Sequence, residues 1–268
     1  MKGISYFLCF FVGLLLSCKK DSSTEPPEQD TGKIIFEFAN YADGLPLQTD
    51  TLMYINQAGN HYMVTEVKYF ISDVTLHKSD GTQTVINKWK DIFYVDNTIP
   101  STLTWQVYDD IPQGNYDSIS FTFGINEEKN KTFLFVNTPE VNMFWPTVLG
   151  GGYHYMQING KWKDTVDFIN NFNFHLGIGQ IYKGNVIDVD SITGFVQNYF
   201  KVNLPASSFS ISKNETKNIQ IIMNIESWFK TPNIFDFNYW GGDIMQKQAA
   251  MQAAKENGFD VFSIGCIY

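Results

Sequence analysis

Short apolar runs with period-two patterning recur along the whole chain. Between Tyr116 and Phe123, Ile119, Phe121 and Phe123 share one face while Ser118, Ser120 and Thr122 share the other, which predicts a half-buried strand. Ile34 to Phe38 carries a similar run near the start, and Ile219, Ile221, Met223 and Ile225 repeat the alternation late in the chain. The stretch from Met63 to Leu76 is less regular. Tyr62, Val64, Glu66 and Lys68 project one way and Met63, Thr65, Val67, Tyr69 and Ile71 the other, so both faces are mixed. Ser79-Asp80-Gly81 supplies a tight turn after it.

Gly, Asn, Pro and Asp separate these runs, and core strands occur from beginning to end without an internal linker. The fold expected is all-β, an antiparallel β-sandwich over residues 33–268 with a short C-terminal helix. That helix is predicted over 243–257, with Asp243 capping its start, Gly258 closing its end, and Ile244, Met251 and Ala254 forming a docking stripe. Met245 and Met251 are expected to fill core rather than hold metal.

Ahead of the first strand the pattern changes. Residues 1–17 read as a secretory signal, with Lys2 followed by an apolar run too short to span a bilayer. Leu15-Leu16-Ser17-Cys18 resembles the bacterial lipobox, which makes Cys18 the lipidation site and residues 18–32, polar and Pro-rich, a flexible tether. The expected location is the bacterial outer membrane or cell surface, facing periplasm or exterior, with membrane attachment through the lipid only. Cys9 leaves with the signal, so Cys266 is expected to stand alone as a buried, inert thiol and no internal disulfide is available.

With 268 residues, 18% of them charged, and a formal charge of −9, the chain does not suit phosphate polyanions, so nucleic acid is excluded as a partner. It has no G-x-S-x-G elbow, H-E-x-x-H, phosphate loop or Cys-x-x-Cys. The reading is therefore not an enzyme and no organic cofactor. Asp109-Asp110 and Glu127-Glu128 are taken as solvated loops, and a hydrolase with dispersed carboxylates ranks last.

Chemistry concentrates between Val141 and Gly177, where Met143, Trp145, His154, Met156 and His175 fall close together in a chain with 4 histidines. Imidazole with thioether nearby favours copper. Gly150-Gly151-Gly152 before Tyr153-His154-Tyr155 gives the backbone freedom for a tight approach. If Tyr153 to Lys161 and Asp167 to Leu176 form a hairpin turning at Asp164-Thr165, His154 lies opposite His175 with Cβ atoms about 5 Å apart. Asn159-Gly160 is a competing hairpin signal that would pair His154 with Thr165. His61 is either a third ligand or an exposed residue, and His77 receives no role. The alternative function is a glycan- or protein-binding surface lipoprotein without metal, using Trp89, Trp105, Trp162 and Trp240 as stacking rings.

Several segments together resemble the MbnP-like copper-binding proteins associated with methanobactin operons and found as lipoproteins in the Bacteroidetes. They are Gly59 leading into Tyr62 to Leu76, Gly114-Asn115-Tyr116 leading to Phe123-Gly124, Met143-Phe144-Trp145, Gly152-Tyr153, Phe174-His175-Leu176-Gly177, and the closing helix with Val261-Phe262. The resemblance covers most of the mature chain. It implies a β-rich extracytoplasmic protein that binds copper, in some members after a MauG-type di-haem peroxidase oxidises a tryptophan to kynurenine. By position it makes Trp145 the modification candidate, His154 and His175 the nitrogen ligands and Met143 a soft neighbour. Members often have a second Trp two residues after the first, where this chain has Pro146-Thr147.

Overall fold

In a computed structural model, residues 29–184 and 186–268 are described. Residues 1–17, Cys18 and most of the tether lie outside them. The first strand, Thr31–Ala42, begins two residues inside the segment read as tether. Gly32 explains the early start: a Cβ there would stand 2.6 Å from Ile211 Cγ1 and 2.7 Å from the Glu215 carbonyl, so a residue that looked like linker composition is packed against the fold.

Two sheets face each other. The 8-stranded sheet runs in the order Ile169–Leu176, Met156–Lys163, His61–His77, Ser118–Phe123, Phe200–Leu204, with Tyr54–Ile55, Gln83–Val85 and Ile92–Asp96 also pairing with His61–His77. The 6-stranded sheet is built on Phe262–Ile267, Thr216–Asn224 and Thr31–Ala42. The antiparallel sandwich is as expected, with one exception: Thr31–Ala42 and Thr216–Asn224 run parallel, from Lys33 opposite Thr216 to Tyr41 opposite Asn224. Strands from opposite ends of the chain have no hairpin to impose an antiparallel sense. Ile34, Phe36, Ile219, Ile221 and Met223 meet Ile119, Phe121, Phe123, Phe172 and Phe174 in one buried core, with contacts across the sheets such as Phe121 on Phe262 at 5.2 Å. A second, smaller cluster of Phe70, Ile92, Tyr94, Ile125, Met143 and Tyr153 lies apart from it. Phe70 sits between the core residues Tyr69 and Ile71, so this cluster is on the outer face of the 8-stranded sheet.

The mixed faces of the long strand His61–His77 have a physical cause. Tyr62 and Val64 point into the core, and after Thr65 the inward set becomes Val67, Tyr69 and Ile71. The neighbouring strand pairs Asn159 with Glu66 and Gly160 with Val64, leaving Thr65 as the extra residue of a bulge. A Cβ on Gly160 would come within 1.9 Å of the Met63 carbonyl. Asn159-Gly160 is therefore a mid-strand bulge site and not a turn. The hairpin turns at Asp164, whose carboxylate accepts from the Val166 and Phe168 N–H groups at 3.0 and 2.9 Å.

At the C-terminus the helix spans Gln248–Asn257 and starts later than predicted, with no side chain capping its Lys247 N-cap. Asp243 accepts from Asn173 Nδ2 at 2.7 Å instead, and the Asn173 N–H donates to the Gly242 carbonyl at 3.0 Å. This segment is held against the Ile169–Leu176 strand, because a Cβ on Gly242 would stand 2.3 Å from the Asn171 carbonyl. Gly258 follows the helix in ordinary helical geometry, and what requires glycine there is Phe200, whose ring would lie 2.1 Å from a Cβ. Cys266 is exposed, contrary to the expectation of a buried thiol, because the last residues of Phe262–Ile267 are largely solvent-facing.

Gly160→Ala is expected to destabilise the domain by about 3 kcal/mol in urea unfolding. Gly194→Ala, where the new methyl meets nothing nearer than 3.5 Å, is the control and should be neutral within about 1 kcal/mol.

Candidate metal centre

The outer face of the 8-stranded sheet is covered by the loop between Ser118–Phe123 and Met156–Lys163. Inside it the chain doubles back on itself. The Trp145 N–H donates to the Gly152 carbonyl at 2.8 Å and the His154 N–H to the Met143 carbonyl at 2.7 Å. Between them Gly150, Gly151 and Gly152 take φ values of 120°, 72° and 76°, three successive positive-φ residues that side-chain-bearing residues would adopt only with strain. Asn130 presses on this turn. Its Oδ1 accepts from the Tyr153 N–H at 2.8 Å, and a Cβ on Gly152 would stand 2.5 Å from that same oxygen.

This reversal fixes both Trp145 and His154. Trp145 is fully buried, donates from Nε1 to the Leu149 carbonyl at 3.0 Å, and meets the His154 ring at 4.6 Å in an edge-on arrangement. Gly177 leaves room for the indole, since a Cβ there would lie 2.6 Å from its ring carbons. His154 is buried, with Nδ1 placed 2.9 Å from the Met143 carbonyl. A carbonyl only accepts, so Nδ1 carries the proton and Nε2 the lone pair.

His175 comes from the edge strand Ile169–Leu176, whose Phe172, Phe174 and Leu176 point into the core and whose alternate residues, His175 among them, face outward. Its Nε2 is 2.7 Å from Asn159 Oδ1, and Asn159 Nδ2 donates to Glu66 Oε2 at 2.8 Å. That second bond orients the amide so that its oxygen faces the imidazole. His175 therefore donates from Nε2 and keeps its lone pair on Nδ1. Glu66 in turn pairs with Lys68 at 2.5 Å.

The two rings lie 5.2 Å apart, centroid to centroid, at 87°. They meet by a route other than the expected one. In the observed register His175 is opposite Gln157, three residues from the expected partner, and His154 precedes the strand altogether. The turn begins at Asp164 but extends to Phe168 and is centred on Val166, beyond the expected Asp164-Thr165, and this longer loop moves the register by three residues. Burial is the main cause that lowers the His154 pKa to about 3, with His175 adding to it against the opposing Met143 and Phe144 carbonyls. Burial, then the Lys68 charge, lowers His175 to about 4. Both rings are neutral at pH 7, each with its N–H engaged and one lone pair available.

The other candidates separate from this pair. Met143 contacts His154 through its carbonyl, while its side chain belongs to the outer apolar cluster with Phe70 and Tyr153. Met156 is in the main core. His61 is exposed and opposite Lys163, seven residues along the strand from Met156 and so about 20 Å away, which removes it as a third ligand. His77 bonds to Ser120 Oγ at 2.7 Å. Among the described residues no group of three or more His, Cys, Asp or Glu side chains is arranged to hold a metal. Trp105 and Trp162 are 3% and 6% exposed, Trp240 stacks on Phe235, and Trp89 is 87% exposed, so these indoles form no shared platform. Asp109, expected in a solvated loop, is buried and accepts the Asn87 and Lys88 N–H groups at 3.1 Å.

Imidazole binds a metal at about 2.0–2.1 Å, so two rings sharing one ion keep their centres within about 6 Å. The observed 5.2 Å fits that limit. Sequence reasoning missed Glu66, Lys68, Asn159 and Gly177, although the mixed faces after Tyr62 already signalled the bulge that turns Glu66 and Lys68 outward.

The MbnP family model matches residues 31–246. The chain belongs to the MbnP family. A solved structure, MbnP from Methylosinus trichosporium, is similar to this MbnP-family chain at 16% identity and a TM-score of 0.49, covering 88% of this chain and 98% of that one. None of the curated proteins compared with it matches.

For the metal-free MbnP-family domain, both folded-state histidine pKa values lie below the ordinary 6.5. The unfolded chain then binds more protons below pH 6.5, so the contribution is complete above that value and is lost as pH falls toward 4. Urea unfolding should show stability falling by on the order of 1.4 kcal/mol per pH unit for each histidine between about pH 6 and 5. The double variant His154→Asn, His175→Asn should lose most of that slope.

Proposed function

We propose that the protein binds one copper ion, in the reduced state, between His154 Nε2 and His175 Nδ1. The observation that carries this reading is the pair of neutral imidazoles in contact, each with its N–H tied to a protein acceptor and its lone pair left over. A set of two neutral nitrogen donors, one buried and one partly buried, without a carboxylate suits a soft monovalent ion better than a hard one such as magnesium or calcium. When bound, copper supplies redox and ligand-exchange chemistry. The chain's own residues hold the two rings, fix their tautomers and exclude water with the Trp145 wall. We read the protein as a binder for metal acquisition or holding and not as a catalyst.

Family membership points to a methanobactin-associated extracytoplasmic protein. In the same proposal Cys18 carries the lipid, and the anchored domain faces the periplasm or the exterior. Trp145 is the candidate for oxidation to kynurenine by a MauG-type di-haem peroxidase, since its indole touches a ligand ring at 4.6 Å. Met143 serves through the carbonyl that holds His154.

Anaerobic titration of the domain from Gln29 onward with copper(I), in competition with a chromophoric chelator, tests the reading. The wild type should compete, and the double variant His154→Ala, His175→Ala should bind at least 100-fold more weakly, roughly the loss of two ligands. Equal weak binding by both proteins would remove the proposal. Intact mass of native material reports the lipid on Cys18 and the conversion of Trp145 in one spectrum.

A further inference from the structure

The outer face carries a partly buried ion pair, Glu66–Lys68, in which Glu66 orients the Asn159 amide while Lys68 has no part in the geometry of the two-imidazole centre. Registers place Asp96, Lys68, Gln157 and His175 in one row across four strands, and Glu66, Asn159 and Asn173 in the next. Bonds run along this surface from His175 Nε2 to Asn159, from Asn159 to Glu66, and from Glu66 to Lys68 Nζ. The Lys68 and Glu66 side chains are only 16% and 26% exposed. An ion pair taken this far from water contributes little net stability and is often replaceable by apolar residues, so its presence beside a candidate ligand calls for another role. Orientation of the ring follows from the Asn159 amide and its bond to Glu66, so geometry accounts for Glu66 and leaves Lys68 without a part. What the pair adds is charge control: Glu66 alone would favour cations in proportion to their charge, and Lys68 cancels that field.

We propose that the Glu66–Lys68 pair sets the charge selectivity of the centre: Lys68, which also faces Asp96, offsets the negative charge that Glu66 brings next to Asn159 and His175, so that the centre takes a monovalent soft ion in preference to a divalent one. This rests on the copper reading above. Lys68 and Glu66 act through the field at the ion and through Asn159, and neither is a ligand.

The test measures copper(I) and zinc(II) affinities by chelator competition for the wild type, Lys68→Met, Glu66→Gln and the double variant. Lys68→Met leaves Glu66 uncompensated and should raise zinc(II) affinity relative to copper(I) by about tenfold. Glu66→Gln should shift the ratio the other way, and the double variant should return it close to the wild-type value. Lys68→Gln, which keeps a donor for Glu66 without its charge, should reproduce Lys68→Met even if the latter folds poorly. A control readout is the imidazole nitrogen spectrum of the metal-free protein, in which His175 should keep its Nε2–H tautomer in both Lys68 variants and lose it in Asn159→Leu. Wild-type binding with an unchanged ratio in the Lys68 variants overturns the selectivity proposal alone. No binding of either ion by the wild type overturns the copper reading beneath it.

Discussion

The Met63 carbonyl occupies the place where a side chain on Gly160 would begin, and this contact organises both the core and the outer face. It permits one extra residue, Thr65, in the longest strand of the larger sheet, which changes the phase from there to Ile71, until a second irregularity near Asp73 restores it for Val74 and Leu76. Val67, Tyr69 and Ile71 become core residues, and Glu66 and Lys68 turn outward beside Asn159. Without the bulge, a strict period of two would carry Glu66 and Lys68 into the apolar interior behind Tyr62 and Val64. The same local crowding therefore serves the sandwich and supplies the polar neighbours of His175.

On that face the covering loop performs a different task. It brings an imidazole from an irregular segment to one on a regular strand. His154 depends on a reversal made of three glycines and clamped by Asn130, and His175 depends on sheet register. Each ring is then locked by an acceptor: the Met143 carbonyl for one, the Asn159 amide for the other. Burying the His154 imidazole against a partly buried His175 withdraws polar surface from water, a cost that the surrounding Trp145 and Gly177 packing must offset. Both rings are already neutral, so neither has to lose a proton to act as a donor.

Much of this was legible in the sequence wherever a single local rule decided the outcome. Ile119, Phe121 and Phe123 lie in the core as their alternation required, and Met251 and Ala254 dock the C-terminal helix as their spacing required, while Ile244 is buried from the segment ahead of that helix. Asp164 was recognisable as part of the hairpin turn. Tertiary contacts decided the rest. Asn159-Gly160 has the composition of a turn, yet a carbonyl from the adjacent strand demands that glycine within a strand. Asp243 has the chemistry of a helix cap, yet it is claimed by Asn173. The meeting of His154 and His175 was expected from a register that does not form, so the outcome was right and the reason was not. The parallel pairing of the first long strand with Thr216–Asn224 has no local signal at all, because it joins residues such as Lys33 and Thr216 that are far apart in the chain.

The strand bearing His175 is the outermost of its sheet, a position where unpaired backbone invites sliding or adhesion to another molecule. The Gly241–Asp243 segment lies along that border, with the Asn173 N–H on the Gly242 carbonyl and the Asn173 amide on Asp243. It behaves as a latch: a slip by one position would bring Asn171 and Asn173 to the inner face and swing the imidazole with them, and the latch resists it two residues from that ring. Loosening the far C-terminal region would thus erode the centre without touching it, while freeing a sticky border for aggregation.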